Sequence, residues 1–308
     1  MEILDHQATA VAEITARALA FFRGDWRGLP IQPRWHTLIV GPTGTGKTTV
    51  AAMAADTLTR TMPGLITVTM LRASAPNWMP CGAHNRGTRE TIGVIAKFVA
   101  THDRTMLVID EIDKLIDKSG DTTWKAYIRN ELFDLLDGRW PTGLTPPDND
   151  DDVPIMPIEA LTKKLRETVF IVGIGTFQEW YDSAGTRRTM GFGAEKTAET
   201  VEISADIVAE KMPRELANRF NADIIRLPEL TAADYHRIAS QAENTLPERM
   251  RQEFRAEVDR RIAGAIAAKK GVRFLEDALV DVLKNPPEFL NSTIPEKKEE
   301  KENWPLCI

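Results

Sequence analysis

The chain has 308 residues, 43% of them hydrophobic and 27% charged, the balance of an ordinary globular protein large enough for two domains. A formal charge of −6 and a pI near 5.6 exclude a general electrostatic drive toward nucleic acid. Two cysteines, Cys81 and Cys307, exclude a disulfide framework and predict a reducing compartment, and Cys81 with His84 is a C-x-x-H pair lacking the second pair that a zinc site needs.

The chain opens Met1-Glu2-Ile3-Leu4-Asp5, without a basic segment leading into an apolar core, so no signal peptide is expected. No run reaches the roughly eighteen apolar residues of a spanning helix, and the expected location is cytoplasmic. Val11, Ile14, Ala18 and Phe21 recur at helical spacing and predict a helix over about 7–22, followed by a Gly- and Pro-rich loop from Gly24 to Pro33. Leu38-Ile39-Val40 is a short buried strand. It runs into Gly41-Pro42-Thr43-Gly44-Thr45-Gly46-Lys47-Thr48, which fits the phosphate-cradling pattern G-x-x-x-x-G-K-[ST]. An Ala-rich helix, Thr49 to Leu58, follows directly. Strand, loop and helix together are the context the motif requires, because the backbone N–H groups and the helix N-terminus converge on an anion. Residues 41–49 are therefore the predicted triphosphate-binding segment, with Lys47 reaching the β- and γ-phosphates and the Thr48 hydroxyl on Mg²⁺.

Leu65 to Met70, β-branched and short, predicts a second strand, and Pro76, Pro80, Gly82 and Gly87 forbid a continuous helix over 72–88. Helical spacing resumes from Thr91 to Ala100. Met106-Leu107-Val108-Ile109 is a third buried strand, ending in Asp110-Glu111. A helix is expected from about Thr123 to Leu136, closed by Asp137-Gly138, and then a solvated insertion from Thr142 to Pro157 that carries the Asp148–Asp152 acidic run. Val169 to Ile174 is a fourth buried strand, and 182–200 a Gly- and Thr-rich loop. Alternation of strand and helix predicts an α/β doubly wound parallel sheet with its ligand at the strands' C-terminal ends. From about Thr231 the apolar pattern is helical only. The expected domains are 1–228, nucleotide-binding, and 229–290, small and helical, with a charged tail over 291–308.

The two carboxylates after the third strand carry the second half of the expected chemistry. Asp110, through water and together with Thr48, is the predicted magnesium holder, and Glu111 the group that orients and polarises the attacking water. A lone Asp-Glu pair is common on surfaces. Preceded by four buried residues, about sixty positions after a phosphate loop, it points to hydrolysis of a nucleoside triphosphate.

Gly41 to Thr48, taken with Ile109-Asp110-Glu111-Ile112-Asp113-Lys114-Leu115, resembles the AAA+ ATPases and, within them, the ClpX-type protein unfoldases. The resemblance extends through most of residues 1–280. It implies ATP as the nucleotide, an AAA+ P-loop fold with a small C-terminal helical domain, and a homo-oligomer, a hexameric ring. Leu4-Asp5-His6-Gln7-Ala8 is similar to the segment in which that family grips adenine, which places Leu4 in the binding set. Pro213-Arg214-Glu215-Leu216-Ala217-Asn218-Arg219-Phe220 is similar to the Clp arginine box with one residue inserted. By resemblance Arg219 is the finger that acts on a neighbouring subunit's ATP, with Arg214 and Arg226 as competing candidates. Gly271-Val272-Arg273 resembles the second sensor and places Arg273 against the γ-phosphate. Thr176, after the fourth strand, sits where the first sensor belongs; an ordinary turn threonine is the equal alternative.

An unfoldase also needs residues that grip polypeptide in a central pore. Trp78-Met79 occupies the interval in which the family carries its aromatic–aliphatic pair, against the alternative of a tryptophan packed on the domain. Ser119 to Tyr127, with Trp124, lies where the second pore loop falls. Met190-Gly191-Phe192 resembles the tract by which ClpX docks onto a barrel peptidase. The competing functional reading is an AAA+ switch or loader on nucleic acid, with Arg86, Arg89, Arg187 and Arg188 facing the polyanion; the acidic total and the arginine box favour protein remodelling.

Overall fold

Strands whose residues are apolar without interruption can be satisfied only if both their faces are covered, which is the condition of a parallel sheet between two helical layers. The computed structural model, which describes residues 3–31, 33–61, 67–81, 90–116, 123–141, 156–177, 214–221 and 223–284, has that arrangement. The chain divides into two compact units, one spanning Ile3–Glu229 and the other beginning at Leu230.

In the first unit the elements run α1 (Asp5–Arg23), β1 (Thr37–Val40), α2 (Lys47–Thr61), β2 (Val68–Ser74), a 3-10 turn (Ala75–Asn77), α3 (Thr91–Thr101) and β3 (Arg104–Asp110). They continue with α4 (Asp113–Ile116), α5 (Thr123–Leu136), α6 (Ile158–Thr168), β4 (Val169–Gly175), α7 (Arg214–Ala217) and β5 (Ile225–Arg226). The sheet order is β2-β3-β4-β1-β5, every pairing parallel. Alternate side chains of each strand feed different cores. Leu107, Ile109, Val169 and Ile171 pack with α3, α5 and α6, whereas Met106, Val108, Phe170 and Val172 pack with α1 and α2. Such burial on both faces turns these strands into unbroken apolar runs in the sequence.

Helices α1, α2, α3 and α5 and strands β1, β3 and β4 lie where the sequence places them. Strand β2 does not. It runs from Val68 to Ser74, later than the expected Leu65–Met70, because β2 is an edge strand whose solvent side tolerates the polar Arg72 and Ser74. Helix α6 and the two-residue β5 are elements that the sequence reading did not contain. The acidic run, the loop 182–200, the Met190-Gly191-Phe192 tract, Arg86, Arg89, Arg187, Arg188 and the tail 291–308 lie outside the described residues.

The second unit is built from α8 (Ala232–Thr245), α9 (Glu248–Ala267) and α10 (Arg273–Lys284). Thr231 starts α8 with a reciprocal cap: its hydroxyl accepts from the Asp234 N–H, and the Asp234 carboxylate accepts from the Thr231 N–H at 2.8 Å. Tyr235, Phe254, Val258, Ile262 and Phe274 are among its buried residues. Gly271 adopts φ +64°, a conformation that favours glycine, and donates its N–H to the Tyr235 hydroxyl at 2.8 Å. That turn ends at Arg273, the exposed first residue of α10.

Candidate functional site

The C-terminal ends of β1, β3 and β4 form the rim at which the predicted phosphate and acid residues meet. Gly41 donates its N–H to the Gly175 carbonyl at 3.3 Å, so the loop after β1 leaves the sheet beside the end of β4. The Thr45 hydroxyl closes the loop by donating to the Pro42 carbonyl at 3.0 Å. Gly46 stands at φ +85°, and a Cβ there would meet the Gln7 amide nitrogen at 2.7 Å. The same Gln7 nitrogen donates to the Thr45 carbonyl at 2.9 Å. The backbone angle favours glycine, and a side chain there would push the Gln7 amide off the loop. Leu4 is buried at the start of α1, its N–H bonded to Gln7 Oε1 at 3.2 Å. The first turn of α1 thus rests on the phosphate loop.

Lys47, largely buried, begins α2 and donates its ammonium to the carbonyls of Gly41 at 2.6 Å and Pro42 at 2.7 Å. Thr48 donates its hydroxyl to Asp110 Oδ2 at 3.1 Å, joining the two halves of the site across 62 positions of sequence. A hydroxyl and a carboxylate side by side are hard oxygen donors, the kind that Mg²⁺ prefers, so the pair fits a magnesium site. Asp110 Oδ1 accepts the Glu111 N–H at 2.9 Å. Glu111 itself adopts φ +56°, a strained backbone for a residue with a side chain, and is exposed. The strain is held by neighbouring bonds, since the next N–H, of Ile112, donates to the Ile174 carbonyl at 2.9 Å. Thr176, half-buried, follows β4 between the departure of the phosphate loop and the acid pair.

Two residues join this rim that the sequence reading left without a role. Asp113, half-buried at the start of α4, accepts the Phe177 N–H at 3.3 Å and ties the acid segment to the turn that carries Thr176. Arg72 on β2 donates from Nε to Asp110 Oδ2 at 3.0 Å, with Nη2 at 2.7 Å from the same oxygen. An arginine on an edge strand gives no signal by itself; only the parallel pairing of β2 with β3 brings it to Asp110.

Trp78 and Met79 do not form the expected gripping pair. Trp78 is 2% exposed, packed in the core with α3 and α5, and its indole N–H donates to Glu131 Oε2 at 2.9 Å. The other oxygen of this buried carboxylate accepts the Cys81 N–H at 2.6 Å. Met79 is half-buried, and its backbone exchanges two hydrogen bonds with Thr91, one to the hydroxyl and one from the N–H. An indole so enclosed cannot grip a passing polypeptide. Burial and then the Glu131 and Glu90 carboxylates push the Cys81 thiol up to about 12, which leaves it protonated near neutrality.

Arg219 lies at the other end of the sheet. The Arg34 guanidinium donates to the Asn218 carbonyl, and the Asn221 N–H to the His36 carbonyl at 2.8 Å; Arg34 and His36 precede β1, whereas the phosphate loop follows it. The Arg219 guanidinium makes two parallel bonds to Asp137, at 2.9 and 3.0 Å, and lies 4.3 Å over the Phe133 ring. Arg214 is exposed at the start of α7. Beside Asp137, burial pushes the His36 imidazole down to about 4 despite the opposing pull of the Leu136 carbonyl and the Asp137 charge.

A parallel sheet with a glycine-rich loop after β1, a lysine and threonine opening the next helix, and a threonine-bonded aspartate at the end of β3 defines a P-loop nucleoside triphosphatase. A family model described as "ATPase family associated with various cellular activities (AAA)" matches residues 37–192. The chain belongs to the AAA family, and with that membership go ATP binding and ATP hydrolysis. Proteins of this family typically act as oligomers. Among the described residues no helix is long and apolar enough to cross a membrane.

Proposed function

We propose that this chain is a Mg²⁺-dependent ATPase that assembles into a hexameric ring of the ClpX type and uses hydrolysis to unfold or remodel protein substrates. The observation that carries the proposal is the place of Arg219. It stands beside the residues that lead into β1, at the far end of that strand from the chain's own phosphate loop, so its target is the ATP of a second copy. In that role it exchanges the Asp137 carboxylate for the γ-phosphoryl oxygens, on which charge grows during hydrolysis.

Within one subunit the loop 41–49 binds the phosphates, and Lys47 turns its ammonium from the loop carbonyls to the β- and γ-phosphates. Thr48 and Asp110 hold Mg²⁺, which supplies neutralisation of phosphate charge. Glu111 orients the attacking water and takes up its proton, assisted by Thr176. By the same resemblance Leu4 belongs to the adenine-binding set, and Arg273 of the helical unit is the candidate second sensor. The substrate is a polypeptide rather than nucleic acid, in keeping with the net charge of −6 and the Clp-like arginine box. With Trp78 in the core, we assign substrate contact to Trp124 and Tyr127, which lie one turn apart on α5 and are 44% and 59% exposed. Docking on a barrel peptidase through Met190, Gly191 and Phe192 is the further step this reading suggests.

A Glu111→Gln protein tests the proposal. It should form an ATP-dependent ring that retains a bound polypeptide through purification, and adding Trp124→Ala and Tyr127→Ala should release it. Co-purifying nucleic acid in place of polypeptide would overturn the substrate class. In mixed rings of Arg219→Ala and Lys47→Ala subunits, each inactive alone, a Lys47→Ala subunit should lend its Arg219 to the intact site of an Arg219→Ala neighbour and restore part of the turnover; undiminished turnover of Arg219→Ala subunits in every mixture would remove Arg219 from the role.

A further inference from the structure

We propose that Arg72 is the counter-ion of Asp110 until a divalent cation arrives, and that its release is a step in loading the site; this rests on the reading that Asp110 and Thr48 hold Mg²⁺. Asp110 is only 10% exposed at the end of a buried strand, so its charge needs compensation close by. The compensation is complete: Oδ1 takes the Glu111 N–H, while Oδ2 takes the Thr48 hydroxyl and both donors of Arg72. The oxygen shared with Thr48 is the one a cation at that pair needs. A guanidinium 2.7 Å from it and a divalent cation on it repel each other at short range. The metal, or the water that joins it to Asp110, takes that oxygen, and the arginine gives way.

The placement of Arg72 makes that displacement easy. Residue 74 is the register partner of Asp110, so Arg72 lies two residues back and spans the gap with its long side chain. It sits on the edge strand and is 56% exposed, free to swing into water once the carboxylate has a better partner.

The test compares the affinity of the protein for a fluorescent ADP analogue in excess Mg²⁺ and in EDTA; the ratio of the two measures how far metal and nucleotide support each other. Arg72→Gln should raise that ratio roughly three- to tenfold, the span expected for removing one charged, partly exposed competitor, with Arg72→Lys in between. In an Asp110→Asn background Arg72→Gln should change nothing. An unchanged or lowered ratio in Arg72→Gln, with Asp110→Asn abolishing metal support, would overturn the counter-ion role while leaving the metal site intact. Metal support that survives Asp110→Asn would instead overturn the site assignment itself. Thermal melts of each variant confirm that folded protein is being compared.

Discussion

Arginine–carboxylate groups occur in both units, and they differ in what encloses the carboxylate. Asp110 ends a strand buried on both faces and is 10% exposed, and its donors converge from β2, from α2 and from the turn after β3. In the helical unit, Glu257, its side chain 17% exposed, pairs with Arg260, which is 64% exposed, and with Arg261, and Arg261 also meets Asp281 across α9 and α10. These arginines hold the Glu257 carboxyl down to about 2, and Arg260, the more exposed of the two, brings the pair to the edge of the solvent. The same pairing of charges therefore has two meanings. Around the acid that ends a buried strand it sets the chemistry of a site, and between α9 and α10 it covers a core whose stability comes from Phe254, Val258 and Phe274 beneath.

The sharpest way to break that contrast is to neutralise one acid in each unit. Glu111→Gln should lower the rate of phosphate release by about a thousandfold while nucleotide binding, followed by fluorescence, is kept. Trp78→Ala should cost about 3–5 kcal/mol of stability by chemical denaturation, because it empties a core site and strands the Glu131 carboxylate. An exposed gripping residue would melt unchanged, so this measurement also checks the reassignment of the indole.

Acid offers a gentler probe of the same unit. The folded His36 value, about 4, lies below its ordinary 6.5, so between them the unfolded chain takes up a proton that the folded chain refuses. The stability it contributes is whole above pH 6.5 and is lost as pH falls toward 4, by roughly 2–3 kcal/mol. Melting curves across that range should show the loss in the native chain and a flatter profile in His36→Gln. Cys81 should react with alkylating reagent at pH 7.5 far more slowly than a free thiol, as peptide mass spectrometry would report, because its thiolate is scarce. Glu257→Gln should be the quietest change, moving neither turnover nor the melting temperature beyond about 1 °C. A large effect there would erase the distinction between the two units.

Several elements could be read directly because local pattern and tertiary environment agree. Met106 to Ile109 and Val169 to Ile174 are buried on both faces and so appear as unbroken apolar runs. The loop before α2 declares itself through glycines that its backbone angles demand. Other elements resisted for equally physical reasons. The edge strand β2 carries Arg72 and Ser74 like a solvated turn, and β5, two residues long, gains its identity only from pairing with β1. Helix α6, with Leu161 and Leu165 facing the core, follows an acidic stretch whose composition says loop.

What the amino-acid order determined alone is the class of chemistry: a phosphate loop, an acid pair after an apolar strand, and a sheet between helices, each written in contiguous residues. What tertiary structure decided is which side chains those residues meet. Trp78 lies between prolines in a stretch that suits an exposed loop or a packed one, and Glu131, 53 positions away, settles the matter by accepting its N–H. Arg72 is an unremarkable edge-strand cation until strand pairing sets it against Asp110, 38 positions on. Hydrogen bonds and burial between distant segments have no local signature, because their energy depends on who the neighbour is and not on the residue's own kind.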